Sequence, residues 1–106
     1  RGEDLLTGYS KIVRMGPGQI YAGGTTIASH EVARIGIGVM IERAKEEDTE
    51  WSLYDAWNKF LENTDRVSSK EYMDVEGDYY YRVRCVHSAN DDVSSSFTDG
   101  VYIEEP

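Results

Sequence analysis

Nine consecutive residues constrain this chain more than any others: Asp78, Tyr79, Tyr80, Tyr81, Arg82, Val83, Arg84, Cys85 and Val86. In an extended chain, successive side chains point to opposite faces. Tyr79, Tyr81, Val83 and Cys85 then share one face, and Tyr80, Arg82, Arg84 and Val86 share the other. A helix would scatter both sets around its circumference, so the run predicts a β-strand with the first set facing a core. The outward arginines need carboxylates on a neighbouring strand, and Glu42 is the best placed. Exposed pairs of this kind contribute only about 0–1 kcal/mol, so this one would set register more than stability.

The rest of the chain carries the same period. Residues 34–44 place Ile35, Ile37, Val39 and Ile41 on one face and Gly36, Gly38, Met40 and Glu42 on the other. Gly16-Pro17-Gly18 suits a type II turn, with proline and then glycine at its centre. It predicts a hairpin between residues 9–15 and 19–29, and Gly23-Gly24 predicts a bulge or bend in the return strand. Residues 66–75, 79–88 and 93–103 complete the set, separated by turn residues at 76–78 and 89–92, with Asp99-Gly100 offering a break in the last. Residues 51–64 are ambiguous. Leu53, Ala56, Trp57, Phe60 and Leu61 follow helical spacing, whereas Trp51, Leu53, Trp57 and Leu61 share a face at period two. The spacing by itself favours a short helix at 52–62, and a strand there is what the second resemblance below implies. The expected fold is an all-β, antiparallel sandwich of about seven strands. It occupies residues 9–106, after a loose lead-in at residues 1–8.

Composition removes several functions. The 106 residues fit one domain. Twenty acidic against eleven basic residues give a net charge of −9, which opposes nucleic acid, where phosphate neutralisation dominates binding, and anionic membranes. No apolar run approaches the roughly 20 residues that span a bilayer. Cys85 is the single cysteine, so no intrachain disulfide forms.

Two resemblances follow from these residues. The stretch from Gly77 to Ala89 resembles the sixth strand of fibronectin type III and related immunoglobulin-like domains. That resemblance implies an immunoglobulin-like sandwich, with Tyr79 matching the tyrosine whose hydroxyl bonds back to the preceding corner. A wider pattern comprises the glycine-containing hairpin, the Ile/Val strand, Trp51 and Trp57, residues 77–84 with His87, and Gly100-Val101-Tyr102-Ile103. It is similar to small exported proteins of Gram-positive (Firmicutes) bacteria, a family of unknown function. It implies a secreted or envelope location, with any signal peptide lying outside this sequence, and supplies no catalytic residues.

Candidate chemistry is sparse. Cys85 sits mid-strand on the core face, where a thiol is inert. Cys85 and His87 share a face at i, i+2, but two ligands do not make a metal site. Asn90, Asp91, Asp92 and Asp99 offer hard oxygens for calcium, though Asx residues favour turns anyway. No G-x-S-x-G, P-loop or H-E-x-x-H motif occurs. The informative feature is aromatic: eight tyrosines, two tryptophans and two phenylalanines exceed what one small core can hold. Some must line an exposed face, where aromatic patches mark binding surfaces. Trp51, Tyr54, Trp57, Tyr80, Arg82 and Arg84 are the candidate binding residues. The expected function is a non-catalytic, secreted module without a cofactor, a monomer or weak dimer, that contacts a protein or surface partner. The alternatives are a carbohydrate-binding module using the exposed Trp and Tyr residues, and a small hydrolase using unmarked carboxylates.

Overall fold

The alternation read from residues 79–86 is present in space. The computed structural model describes residues 3–106 and contains six strands and no helix among them. They are β1 (Leu5–Gly16), β2 (Gln19–Ala44), β3 (Ser52–Asp74), β4 (Tyr79–Ala89), β5 (Asp92–Phe97) and β6 (Val101–Ile103). On β4 the side chains of Tyr81, Val83, Cys85 and His87 are fully buried, while Arg84 and Val86 face solvent.

Strand β2 organises the molecule. Straight, its 26 residues would reach about 86 Å at the usual rise of about 3.3 Å per residue. The longest dimension of the molecule is 43 Å, so β2 must fold over. It does so between Ile27 and Val32, where its register against β3 shifts. Before the bend it lies between β1 and the second half of β3. After the bend it lies between the first half of β3 and β4. On its other side β4 pairs with β5 and then β6. All pairings are antiparallel, and the sheet curls into a half-barrel whose two layers face each other across a shared core. Ile20, Ile35, Ile37, Val39 and Ile41 from β2 meet Tyr81, Val83 and Cys85 from β4 there.

Several expectations change. The two predicted strands at 19–29 and 34–44 are one bent strand, and those at 51–64 and 66–75 are another. The last predicted strand divides at residues 98–100, where the break at Asp99-Gly100 is expected. About seven strands therefore become six. The helix alternative at 52–62 is overturned, because this stretch pairs with β2 along its length. Pairing begins at Leu5, which is buried, so residues 5–8 belong to β1 and not to the loose lead-in expected at 1–8, of which residues 1–2 lie outside the described residues. The predicted bulge at Gly23-Gly24 is absent, since register runs unbroken through both residues on both sides. Those glycines serve close approach instead: a Cβ at Gly23 would stand 2.0 Å from the Ser69 carbonyl oxygen. The Pro17-Gly18 turn forms as expected, with Gly18 at φ 69°.

The corner tyrosine is also reassigned. The hydroxyl that reaches back across the 76–78 corner is that of Tyr81, which donates to the Glu76 carbonyl, and not that of Tyr79. Tyr81 is fully buried, so a hydroxyl without this acceptor would be costly there. Tyr79 instead lies beside Tyr81 and under the Arg43 guanidinium, 4.0 Å from its ring centre.

Candidate functional site

The outer face of the β3–β2–β4–β5 layer gathers four of the six predicted binding residues. Register fixes its rows. Phe60, Gly36, Ser88 and Val93 lie side by side across the four strands. Asn58, Gly38, Val86 and Ser95 form the next row, and Ala56, Met40, Arg84 and Phe97 the third. Leu53, Glu42 and Arg82 follow. Adjacent strands are about 4.8 Å apart, so the face is roughly 14 Å across.

Its apolar side chains are open to water. Phe97 is 73% exposed, Val93 60%, Phe60 46% and Val86 40%. Side chains of this size on the inner face are mostly covered, so this is an unpartnered apolar surface. Of the two glycines at its centre, Gly36 lies under the Phe60 ring and Gly38 leaves the face open. A Cβ at Gly38 would meet nothing nearer than Val86 at 4.0 Å. A shallow depression of about 260 Å³ opens there, lined by Gly38, Val39, Met40, Ala56, Trp57 and Asn58.

Charge is distributed unlike the rest of the chain. Arg82 Nε donates to Glu42 Oε1 at 2.7 Å, and Arg84 lies 3.7 Å from Glu42 Oε2, confirming the predicted partner. Arg34, opposite Glu62 at the top of the face, covers the Phe60 ring at 4.3 Å. Arg82 covers the Trp51 ring at the same distance. Three arginines against two glutamates contrast with eleven bases against twenty acids overall. Below them Tyr80 meets Tyr102 edge-on at 5.1 Å and donates to Glu46. That hydrogen bond to a carboxylate pushes the Tyr80 hydroxyl pKa up.

The rings of Tyr54 and Trp57 turn away from this surface, although Trp57 borders the depression at Gly38. Tyr54 packs edge-on to Tyr81 at 5.5 Å and lies under Arg43 at 4.7 Å. Trp57 packs against the core, with its indole N–H donating to Ser69 Oγ at 2.8 Å. Trp57 turns inward because it pairs with Val39, whose side chain faces the core, and Tyr54 does so through the register shift between Leu53 and Asp55, where it has no partner on β2. The predicted site is thus divided between two faces.

A buried polar line went unnoticed in the sequence. The His87 ring is fully buried between Thr26 Oγ1 and Ser96 Oγ, each at 2.8 Å. Thr26 donates its proton to the Gly36 carbonyl, so it accepts from Nδ1–H. Nε2 then accepts from Ser96, which in turn accepts from Ser10 at 2.6 Å. This line holds the imidazole neutral, and burial lowers its pKa. The only signal in sequence was the parity that puts His87 and Ser96 on inward faces. Cys85 is equally buried, and burial raises its thiol pKa.

The remaining candidates resolve simply. Asn90 and Asp91 form a turn, with Asn90 at φ 52°. Asp92 Oδ2 accepts the backbone N–H groups of Asp4 and Leu5. No group of three His, Cys, Asp or Glu residues is arranged to hold a metal among the described residues. A second depression of about 320 Å³ lies at the far end, lined by Met15, Gln19, Ile20, Tyr72, Met73 and Asp74. It presents one carboxylate, and the depression at Gly38 presents none. Among the described residues there is no helix long and apolar enough to cross a membrane.

No family model and no curated protein matches this chain. Among solved structures it is similar to the solution structure of R. palustris CsgH, with 14% sequence identity and a TM-score of 0.51, over 88% of this chain and 92% of that one. At that identity the likeness concerns the fold alone. The crystal structure of Spo0M, a sporulation control protein from Bacillus subtilis, matches with 6% identity and a TM-score of 0.47, over 95% of this chain and 51% of that one. A score that low carries no argument.

Proposed function

We propose that this chain is a non-catalytic, exported β-sandwich module that binds a protein partner through the outer face of its β3–β2–β4–β5 layer. The observation that carries the proposal is the row structure of that face. Phe60, Val86, Val93 and Phe97 are exposed around an open position at Gly38 and ringed by Arg34, Arg82 and Arg84. Protein interfaces place apolar and aromatic anchors at the centre and polar groups at the rim, with arginine enriched. The fitting partner presents apolar side chains with carboxylates beside them. Export rests on the resemblance to small exported Gram-positive proteins.

The finer architectural reading is an immunoglobulin/fibronectin type III-like sandwich. With β2 and β3 each counted as two segments, the first, second and fifth segments form one layer. The third, fourth, sixth and seventh form the other. The Tyr81 corner supports the same reading.

Protein recognition is favoured over glycan recognition because sugar rings need free aromatic planes. Arg82 covers Trp51, and Trp57 faces the core. Catalysis is disfavoured because Ser96 and His87, the one nucleophile–base couple noted, lack a carboxylate on Nδ1 and a cleft above them.

A photoreactive residue placed at position 97 tests the reading, with the same probe at Tyr72 as control. Tyr72 is equally exposed but lies on the other layer. Protein adducts at 97 and not at 72 are expected in the producing cells. Equal labelling at both positions, or ring-specific binding on a glycan array, would overturn it.

A further inference from the structure

Strand β3 is an edge along all of its length. It pairs with β2 on one side, and no other element lies against it in comparable extent. Such an edge presents a row of unpaired N–H and C=O groups, which proteins ordinarily blunt with charge, proline or bulges. The half from Ser52 to Thr64 contains no proline, exposes Leu53, Phe60 and Leu61, and beyond a register shift at Tyr54 runs in unbroken register from Asp55 to Glu62.

Its charges are placed for one partner in particular. When two copies of a strand join antiparallel into one continuous sheet, a two-fold axis normal to the sheet relates them. One residue must then lie opposite its own copy, because side chains alternate between faces. Centring on Asp55 or Lys59 sets like charges together. Centring on Trp57 sets Asp55 opposite Lys59, and the symmetry does so twice. Among centres from residue 54 to 60, this is the one that places a carboxylate opposite an ammonium within Ser52–Thr64. Both groups are exposed. In the single copy, Lys59 donates to the Ser68 carbonyl of its own strand at 3.2 Å and Asp55 accepts from the adjacent Ala56 N–H, contacts that an exposed side chain exchanges readily.

From this self-complementarity we infer that the occupant of the β3 edge is a second copy of this chain, paired antiparallel about Trp57. The dimer extends the outer layer across the two-fold axis, from β5 of one copy to β5 of the other. Two copies of the apolar face then lie on one continuous sheet. The pairing is set by Asp55 and Lys59, which lie off the partner face even though Leu53 and Phe60 belong to both, so the charge variants test the pairing alone.

Sedimentation velocity over a concentration series, with circular dichroism to verify folding, tests the inference. Wild type should dimerise with rising concentration. Asp55→Lys sets lysine against lysine, and Lys59→Asp sets aspartate against aspartate. Each single variant should weaken self-association about tenfold or more, since charge pairs across strands turn from attraction to repulsion at two places. An equimolar mixture of the two variants should dimerise again, because every pair across the axis is then opposite in sign. Phe97→Asp should dimerise as wild type does. A wild type that stays monomeric to millimolar concentration overturns the inference, as do single variants that dimerise normally or a mixture that fails to recover.

Discussion

Strands β4 and β3 obey the same geometry and have opposite fates. β4 is paired on both sides, by β2 and by β5 with β6, and five of its eleven residues are buried in strict alternation. β3 is paired on one side, and Val67 is its one buried residue among twenty-three. A central strand has its side chains covered from two directions, so its pattern must be clean. An edge strand is covered from one, so apolar and charged residues mix on both its faces. The stable part of this protein is therefore the part with the clearest sequence pattern. The edge left unpaired is the part with the least clear one.

Tyrosines on the two strands give the largest test of this contrast. Tyr81→Ala on β4 should cost about 3–5 kcal/mol, by loss of a buried aromatic ring. Tyr72→Ala on β3 should stay within about 1 kcal/mol, because that side chain is solvated and loses only its cross-strand contact with Tyr21. Urea denaturation at fixed pH measures both, and equal losses would break the contrast.

Two glycines of β2 sharpen it next. Gly23→Ala pushes a methyl group against the β3 backbone at Ser69 and should cost about 1–3 kcal/mol. Gly38→Ala enters open space on the outer face and should be neutral or stabilising by up to about 1 kcal/mol. Thermal unfolding of the two variants side by side reads the difference. A destabilised Gly38→Ala would mean that the outer face is more tightly packed than its geometry shows.

His87 adds a pH dependence that belongs to β4 and not to β3. Burial lowers its folded pKa below its unfolded value of about 6.5. The unfolded chain therefore takes up a proton that the folded chain refuses. This contribution to stability is fully present above about pH 6.5 and is lost as pH falls below it, by at most about 1.4 kcal/mol per pH unit. His87→Gln should flatten that part of the stability profile between pH 7 and 5. A wild type and variant with parallel profiles would show that the ring accepts the proton without cost.

The outer ion pair gives the smallest effect. Arg82→Ala should cost at most about 1 kcal/mol, and Arg84→Ala less, because Arg84 is farther from Glu42 and more exposed. Both should weaken partner binding more than they weaken folding. A folding loss above 2 kcal/mol for either would place these arginines with the core of the protein and not with its surface.

Legibility in the sequence followed pairing. Parity alone gave the inward face of β4, the buried Cys85 and the Arg82–Glu42 pair, because side-chain direction is local. Parity also placed Tyr80, Arg82 and Arg84 outward. It misplaced Tyr54 and Trp57, because their strand was ambiguous and its register against Val39 comes from a residue eighteen positions away. Phe60, Val93 and Phe97 were not singled out at all. Each sits in a polar or mixed neighbourhood, and only the alignment of four strands makes them one surface.

The sequence by itself determined that this protein is all-β, where its turns fall, and which side of β4 is wet. Those are consequences of period-two patterning and turn chemistry, which act over a few residues. The tertiary structure alone decided that β2 and β3 each run through a bend and serve both layers. It also decided that Tyr81, and not Tyr79, closes the corner, and that His87 joins Thr26, Ser96 and Ser10. Each of these depends on which distant backbone lies alongside, and pairing over such separations is settled by the whole core at once.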